Sequence, residues 1–212
     1  MKNYNASGAL HSTWTNFLLI DALEDDEAVI CCEDVKVAEL YKEVYLNHFD
    51  AKQWFKNAKL KDGKHEHGWS TETMDKYVWN TSVYIDNLKT EKNTNDTFTY
   101  SIARKDKKGA SLGASYKGVD NEMHDMMEEL LHSQINLGDS RNFKSAEELN
   151  DKFIKLLNCK TFIGTENSWS LLAMRLEIPC MHLCQFWPHR SVKRITLDHA
   201  RAYIDPYVEI VE

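Results

Sequence analysis

The chain has 212 residues, 42% hydrophobic and 28% charged, with a formal charge of −7; the composition is that of a globular protein, and its acidity disfavours nucleic acid as a partner. No run of about 18 apolar residues is present, so no membrane span is expected, and Met1 to Asn5 lack the apolar core of a secretion signal. Five irregularly spaced cysteines argue against a disulfide framework and for a reducing cytoplasm.

In chain order, a loop of small residues from Ser7 to Thr13, with His11 inside it, leads to a helix predicted from Trp14 to Leu23. Ala28-Val29-Ile30-Cys31-Cys32 is an apolar run of buried-strand type. Asp34 is placed to cap the next helix, whose Val37, Leu40, Tyr41, Val44 and Tyr45 recur on one face at helical spacing. The first 50 residues thus read loop, helix, strand, helix, with a first strand missing or very short. Residues 50–95 are less regular. They hold Trp54, Trp69 and Trp79, a polar segment from Lys61 to Gly68, and a strand-like Tyr77-Val78-Trp79. The apolar-free stretch from Thr90 to Asp96 reads as a linker between halves 1–95 and 96–212.

The second half alternates more cleanly. A strand is predicted over Thr97–Ala103, followed by a basic, glycine-containing turn from Arg104 to Gly118. Residues 122–133 read as a helix with Met123, Met126, Met127, Leu130 and Leu131 facing inward. Ile135-Asn136-Leu137-Gly138 is a short strand, and Ser145 with Glu148 matches a capping box. The helix it opens is expected to bury Ala146, Leu149, Phe153, Leu156 and Leu157. Thr161-Phe162-Ile163 is a strand that stops at Gly164. The polar cluster Thr165-Glu166-Asn167-Ser168 then opens a helix with Trp169, Leu172, Ala173 and Leu176 on one face, and Pro179 starts another strand. Strands alternating with helices imply an α/β fold with parallel sheets and helices on both faces. The stretch 159–183 is half of a nucleotide-binding crossover, with backbone N–H groups at the helix start placed for a phosphate or ribose.

Taken together, Ile135-Asn136-Leu137-Gly138, the helix from Ser145, and the run Phe162 to Ala173 followed by Glu177-Ile178-Pro179 resemble the C-terminal half of the heptosyltransferase-like glycosyltransferases, glycosyltransferase family 9. About 45 residues carry the resemblance well. Gly113 to Lys117 is similar to the family's glycine- and lysine-bearing turn, and Gly8 to Thr13 with Phe17–Leu23 is similar to its N-terminal loop and helix. Glu166 stands where the family has Asp, Ser168 where it has Gly, and Leu171 where it has His; the N-terminal loop has no Asp, and His11 and Ser12 occupy that neighbourhood. The resemblance implies a compact GT-B-like arrangement of two Rossmann-like halves, acceptor side first and nucleotide-binding side second.

Its implied activity is metal-independent transfer of a sugar from a nucleotide-sugar donor to an acceptor the sequence does not name, with no cofactor. That chemistry needs a base for the acceptor proton and donors for the diphosphate leaving group. His11 is the candidate catalytic base. Lys117, Gly164, Thr165, Glu166, Asn167, Ser168 and Trp169 are the candidate donor-binding set. Each has a structural alternative. Glu166 and Ser168 serve equally as turn and N-cap, Lys117 as a solvated lysine, His11 as a loop hydrogen bonder and Trp169 as core. Cys180, His182, Cys184 and His189 are metal-ligating types, but a C-x-H-x-C strand wraps a tetrahedral ion poorly, and buried cysteines are the expected outcome. His65-Glu66-His67 lacks helical zinc spacing and reads as solvated loop. The basic run Arg104 to Lys108 reads as a solvated turn able to supply phosphate contacts beside Lys117. The rival to the transferase is a non-catalytic descendant that binds a nucleotide, a sugar phosphate or a protein partner. A third possibility is an unrelated one-domain α/β fold.

Overall fold

The structure, a computed structural model, describes residues 2–5, 13–22, 28–32, 34–62, 87–103, 119, 121–138, 143–165, 167–183 and 208–211. The chain divides into two compact units, Met1–Lys92 with Arg141–Phe153, and Asn93–Ser140 with Ile154–Glu212. Both are built on parallel strands joined through helices, so the α/β class holds. Among the described residues, no helix is long and apolar enough to cross a membrane.

The first unit holds β1 (Lys2–Asn5), α1 (Thr13–Ala22), β2 (Ala28–Cys32), α2 (Val35–His48), α3 (Gln53–Asn57) and β3 (Lys59–Asp62). Its strands lie in the order β1-β2-β3, parallel throughout, with Tyr4 beside Ile30 and Ile30 beside Leu60. A first strand is therefore present. It is short and has one apolar residue in Lys2-Asn3-Tyr4-Asn5, so hydrophobic periodicity does not mark it. β3 hides for a related reason: Lys59-Leu60-Lys61-Asp62, outermost among the described strands of this sheet, is made mostly of exposed polar residues.

The aromatic core of this unit explains why Arg141–Phe153 belongs to it. Trp14 of α1 packs edge-on against Tyr41 at 4.9 Å between ring centroids and lies 5.2 Å from Phe153. Phe143 meets Tyr41, and Phe153 meets Phe49. Burying such rings is the largest favourable term available here, about 1.5–3 kcal/mol for each large side chain. Asp21 sits on the same α1 face as Trp14, Phe17 and Leu18, fully buried. Its carboxylate accepts from the Tyr45 hydroxyl and the Lys52 amide, each at 2.8 Å, which ties α1 to α2 and to the start of α3. Asp34 caps α2 as expected, accepting from the Val37 amide at 3.1 Å.

The second unit holds β4 (Phe98–Ser101), α4 (Asn121–Leu130), β5 (Ile135–Asn136), β6 (Thr161–Gly164), α6 (Ser168–Arg175), β7 (Cys180–Leu183) and β8 (Val208–Val211); α5 (Ala146–Leu157) runs from the first unit into the second. All five strands are parallel in the order β5-β4-β6-β7-β8. The chain steps from β4 to one side, then returns past it to build the other side. With the right-handed crossovers usual between parallel strands, connections running to opposite sides would place α4 on one face of the sheet and α6 on the other.

Two helix termini are capped in ways the sequence half announces. The Ser145 hydroxyl accepts from the Glu148 amide, while the Glu148 carboxylate reaches back to the Lys144 amide, one residue before the expected box partner. Helix α6 closes with the Ile178 amide on the Ala173 carbonyl at 3.0 Å and Glu177 left-handed at φ 52°. Leu149, Phe153, Leu156 and Leu157 are buried as expected, and Ala146 is half-buried.

One expectation fails on α4. Met123 and Met127 pack on the cluster of Tyr100, Val119, Leu131, Ile163 and Leu183, but Met126 is 50% exposed and Leu130 66%. One stripe of the helix covers the sheet, and the next stripe points away from it.

Candidate functional site

The strand order places the topological switch between β4 and β6, whose C-terminal ends are the usual place for a ligand in an open parallel sheet. Ser101 ends β4 and pairs with Gly164, which ends β6. The two backbones approach so closely that a Cβ on Gly164 would stand 2.5 Å from the Ser101 carbonyl oxygen and 2.7 Å from the Phe162 ring. Glycine at this point is a packing requirement.

Polar groups then gather on Ser101. The Thr165 amide donates to its carbonyl at 3.2 Å, and the Thr165 hydroxyl accepts from the Ala103 amide at 2.9 Å. The Ser101 hydroxyl donates to the Gly138 carbonyl at 3.0 Å, which joins the end of β5 to the same crest. Asn167 Nδ2 donates to the Ser101 carbonyl at 3.0 Å and lies 3.1 Å from its Oγ. Gly138 is itself left-handed at φ 71° and donates its amide to Asn136 Oδ1. Ser101, Gly138, Thr165 and Asn167 therefore form one hydrogen-bonded network across three strand ends.

The other side of Asn167 caps α6. Its Oδ1 accepts from the Trp169 amide at 2.9 Å and the Ser170 amide at 3.1 Å. The Asn167 amide in turn donates to Ser170 Oγ, and that hydroxyl donates to the Asn167 carbonyl. This is a reciprocal capping box with serine in the third helical position. Of the Asn167, Ser168 and Trp169 amides expected to receive a diphosphate, those of Asn167 and Trp169 donate inside this box. Trp169 is fully buried and Ser168 nearly so. The indole is core and offers no stacking face. The helix-start positive potential is met by the Asn167 carboxamide oxygen.

The structure brings Gly164, Thr165, Asn167, Ser168 and Trp169 together at this crest. His11, Lys117 and Glu166 lie outside the described residues, as do the basic run 104–108, His65 to His67, the strand-like 77–79, Cys184 and His189. Ser101 and Gly138 are the participants that sequence reading missed. Their signal was position alone, at the ends of the strand predicted over Thr97–Ala103 and of the run Ile135-Asn136-Leu137-Gly138.

Chemically, the described crest is neutral. Ser101, Gly138, Gly164, Thr165, Asn167 and Ser170 can donate and accept hydrogen bonds, but none exchanges a proton near neutral pH. Cys31, Cys32, Cys159 and Cys180 are free and buried. Burial pushes the Cys32 thiol up to about 12 and raises that of Cys159, which also accepts from Thr99 Oγ1 at 3.2 Å. Cys180 Sγ donates to the Ile178 carbonyl at 3.0 Å. Among the described residues, no three His, Cys, Asp or Glu side chains converge as a metal site would need.

No family model matches the chain, and no curated protein or solved structure matches it either.

Proposed function

We propose that the second unit is a binding module for a nucleotide or sugar phosphate, seated outside the ends of β4 and β6, and that it does not turn its ligand over. The observation that carries this reading is the reversal of strand order between β4 and β6, whose ends are Ser101 and Gly164, the place where open parallel sheets receive ligands. The closed capping box takes up the Asn167, Trp169 and Ser170 amides, so the ligand's phosphate would be held by other groups of the crest.

The wider reading is a non-catalytic relative of the GT-B glycosyltransferases, with two Rossmann-like halves, working in the cytoplasm. Parallel sheets in both units and four free cysteines support it. A working glycosyltransferase, with His11 as base and Lys117 and Glu166 on the donor, is the second reading, and the resemblance of residues 135–179 favours it.

Thermal unfolding of the full chain over a panel of nucleoside diphosphates, nucleotide sugars and sugar phosphates tests both, with product assayed in parallel. A saturable rise without product is the expected result, equivalent to about 2.7 kcal/mol at a hundredfold excess over Kd. Product formed from any donor and lost in Glu166→Ala or Lys117→Ala would replace the binding reading with the transferase. No rise with any compound would overturn the small-ligand reading.

A further inference from the structure

His48 ends α2, only 7% exposed, and its imidazole stacks on Phe153 with ring centroids 4.3 Å apart. Nδ1 lies 2.7 Å from Thr90 Oγ1, and Nε2 lies 2.6 Å from Asn150 Oδ1. These two partners have a special place in the chain. Thr90 stands just before the chain leaves the first unit at Lys92, and Asn150 just before it leaves again at Phe153. One imidazole therefore holds both departing segments.

For the neutral ring, the hydrogen-bond roles select the tautomer. A carboxamide oxygen only accepts, so Nε2 carries the proton; Nδ1 is then bare and accepts from the Thr90 hydroxyl. The segment around Thr90 is tied down beside it. The Lys89 amide donates to the His48 carbonyl at 3.0 Å, Lys89 Nζ reaches the Leu46 carbonyl at 2.9 Å, and Leu88 bridges Phe49.

We propose that His48 is an acid-released latch: its neutral ring fastens residues 87–92 and the first turns of α5 to the first unit, and a second ring proton loosens both. With Nδ1 protonated, the Thr90 hydroxyl must reverse and find another acceptor for its own proton. The new charge also sits in an aromatic, half-dry setting. Residues 87–92 bring the ammonium of Lys89 toward it, while α5 brings Asn150 and Phe153, neither of which can neutralise it. Burial lowers the ring's proton affinity, Lys89 lowers it further, and the Asn150 hydrogen bond opposes them.

The test is an NMR titration of the His48 ring in the full chain, with amide exchange followed across residues 87–92 and 146–153. The ring should titrate below the ordinary 6.5. After correction for intrinsic chemistry, opening of both segments should rise as pH falls below that value. The limit for uptake of one proton is about tenfold per pH unit. His48→Gln keeps one donor and one acceptor but cannot titrate, so the acid response should vanish. Asn150→Asp sets a carboxylate against Nε2, so the ring should titrate above 6.5 and the segments should stay closed in acid. A wild-type ring titrating at or above 6.5 would overturn the proposal. So would an unchanged acid response in His48→Gln, or in Asn150→Asp if the glutamine variant does not fold.

Discussion

Asn167 and Ser101 are joined across the crest of the second sheet, with Asn167 Nδ2 3.0 Å from the Ser101 carbonyl oxygen. The same side chain caps α6 through Oδ1. One residue thus fixes both the helix start and its position over β4.

Replacing Asn167 separates these roles. Asn167→Ala removes the cap and the bond to Ser101, and should lower stability by about 2 kcal/mol in urea unfolding. Asn167→Ser retains a capping oxygen alone and should recover about half of that. Asn167→Asp keeps the cap but turns a carboxylate oxygen toward the Ser101 carbonyl, so it should do no better than serine. Equal stability for wild type and the alanine variant would show that the crest network contributes nothing.

Gly164→Ala probes the close approach of β4 and β6. The new methyl would meet the Ser101 carbonyl oxygen, a backbone atom held by the strand pairing, as well as the Phe162 ring. Overpacking of this kind costs about 1–3 kcal/mol, and the unfolding midpoint reports it. An alanine variant as stable as wild type would mean that the strands separate freely.

Glu177 is the one described non-glycine residue with a positive φ, at the turn that closes α6. A Cβ in that conformation costs about 1–2 kcal/mol. Part of that gain is lost to the greater freedom of glycine in the unfolded chain. Glu177→Gly should therefore stabilise the protein by about 0.5–1 kcal/mol, read as a higher melting temperature.

Asp21 sets a pH dependence of known sign. Burial raises its carboxyl above the ordinary 3.8, against the lowering effect of the Tyr45 and Lys52 hydrogen bonds. Between 3.8 and the raised value, the native state binds more protons than the unfolded chain. Asp21 thus contributes most when protonated, and that contribution falls as pH rises through the window. The difference in urea midpoint between wild type and Asp21→Asn, followed from acid to neutral pH, should shift in favour of the asparagine variant as pH rises. A difference independent of pH would contradict the burial argument.

Several elements were legible in the residues because their periodicity is strong. The helix from Asp34, the Ser145 cap and the strand–helix–strand run from Thr161 all follow apolar spacing and capping chemistry. Short polar strands such as Lys2–Asn5 and Lys59–Asp62 are set by sheet pairing, which no local pattern records. The α4 error has a similar source: apolar type alone does not say which stripe the sheet will cover, and Met126 and Leu130 fall on the uncovered one. At the crest, the segment 164–169 was visible as a polar turn opening a helix. The Asn167–Ser170 box is local, but the cap was read at Ser168; the further bond from Asn167 to Ser101 was not legible, because Ser101 lies across the sheet.

The seat proposed for a small phosphorylated ligand lies outside the ends of β4 and β6. Titration of nitrogen-15-labelled chain with nucleoside diphosphates and sugar phosphates, followed by two-dimensional NMR, tests it most directly. Saturable shifts centred on Ser101 to Ala103, Gly138 and Thr165 to Asn167 are expected. Spectra that stay unchanged, or shifts confined to the strands and helices of the first unit, would contradict this placement.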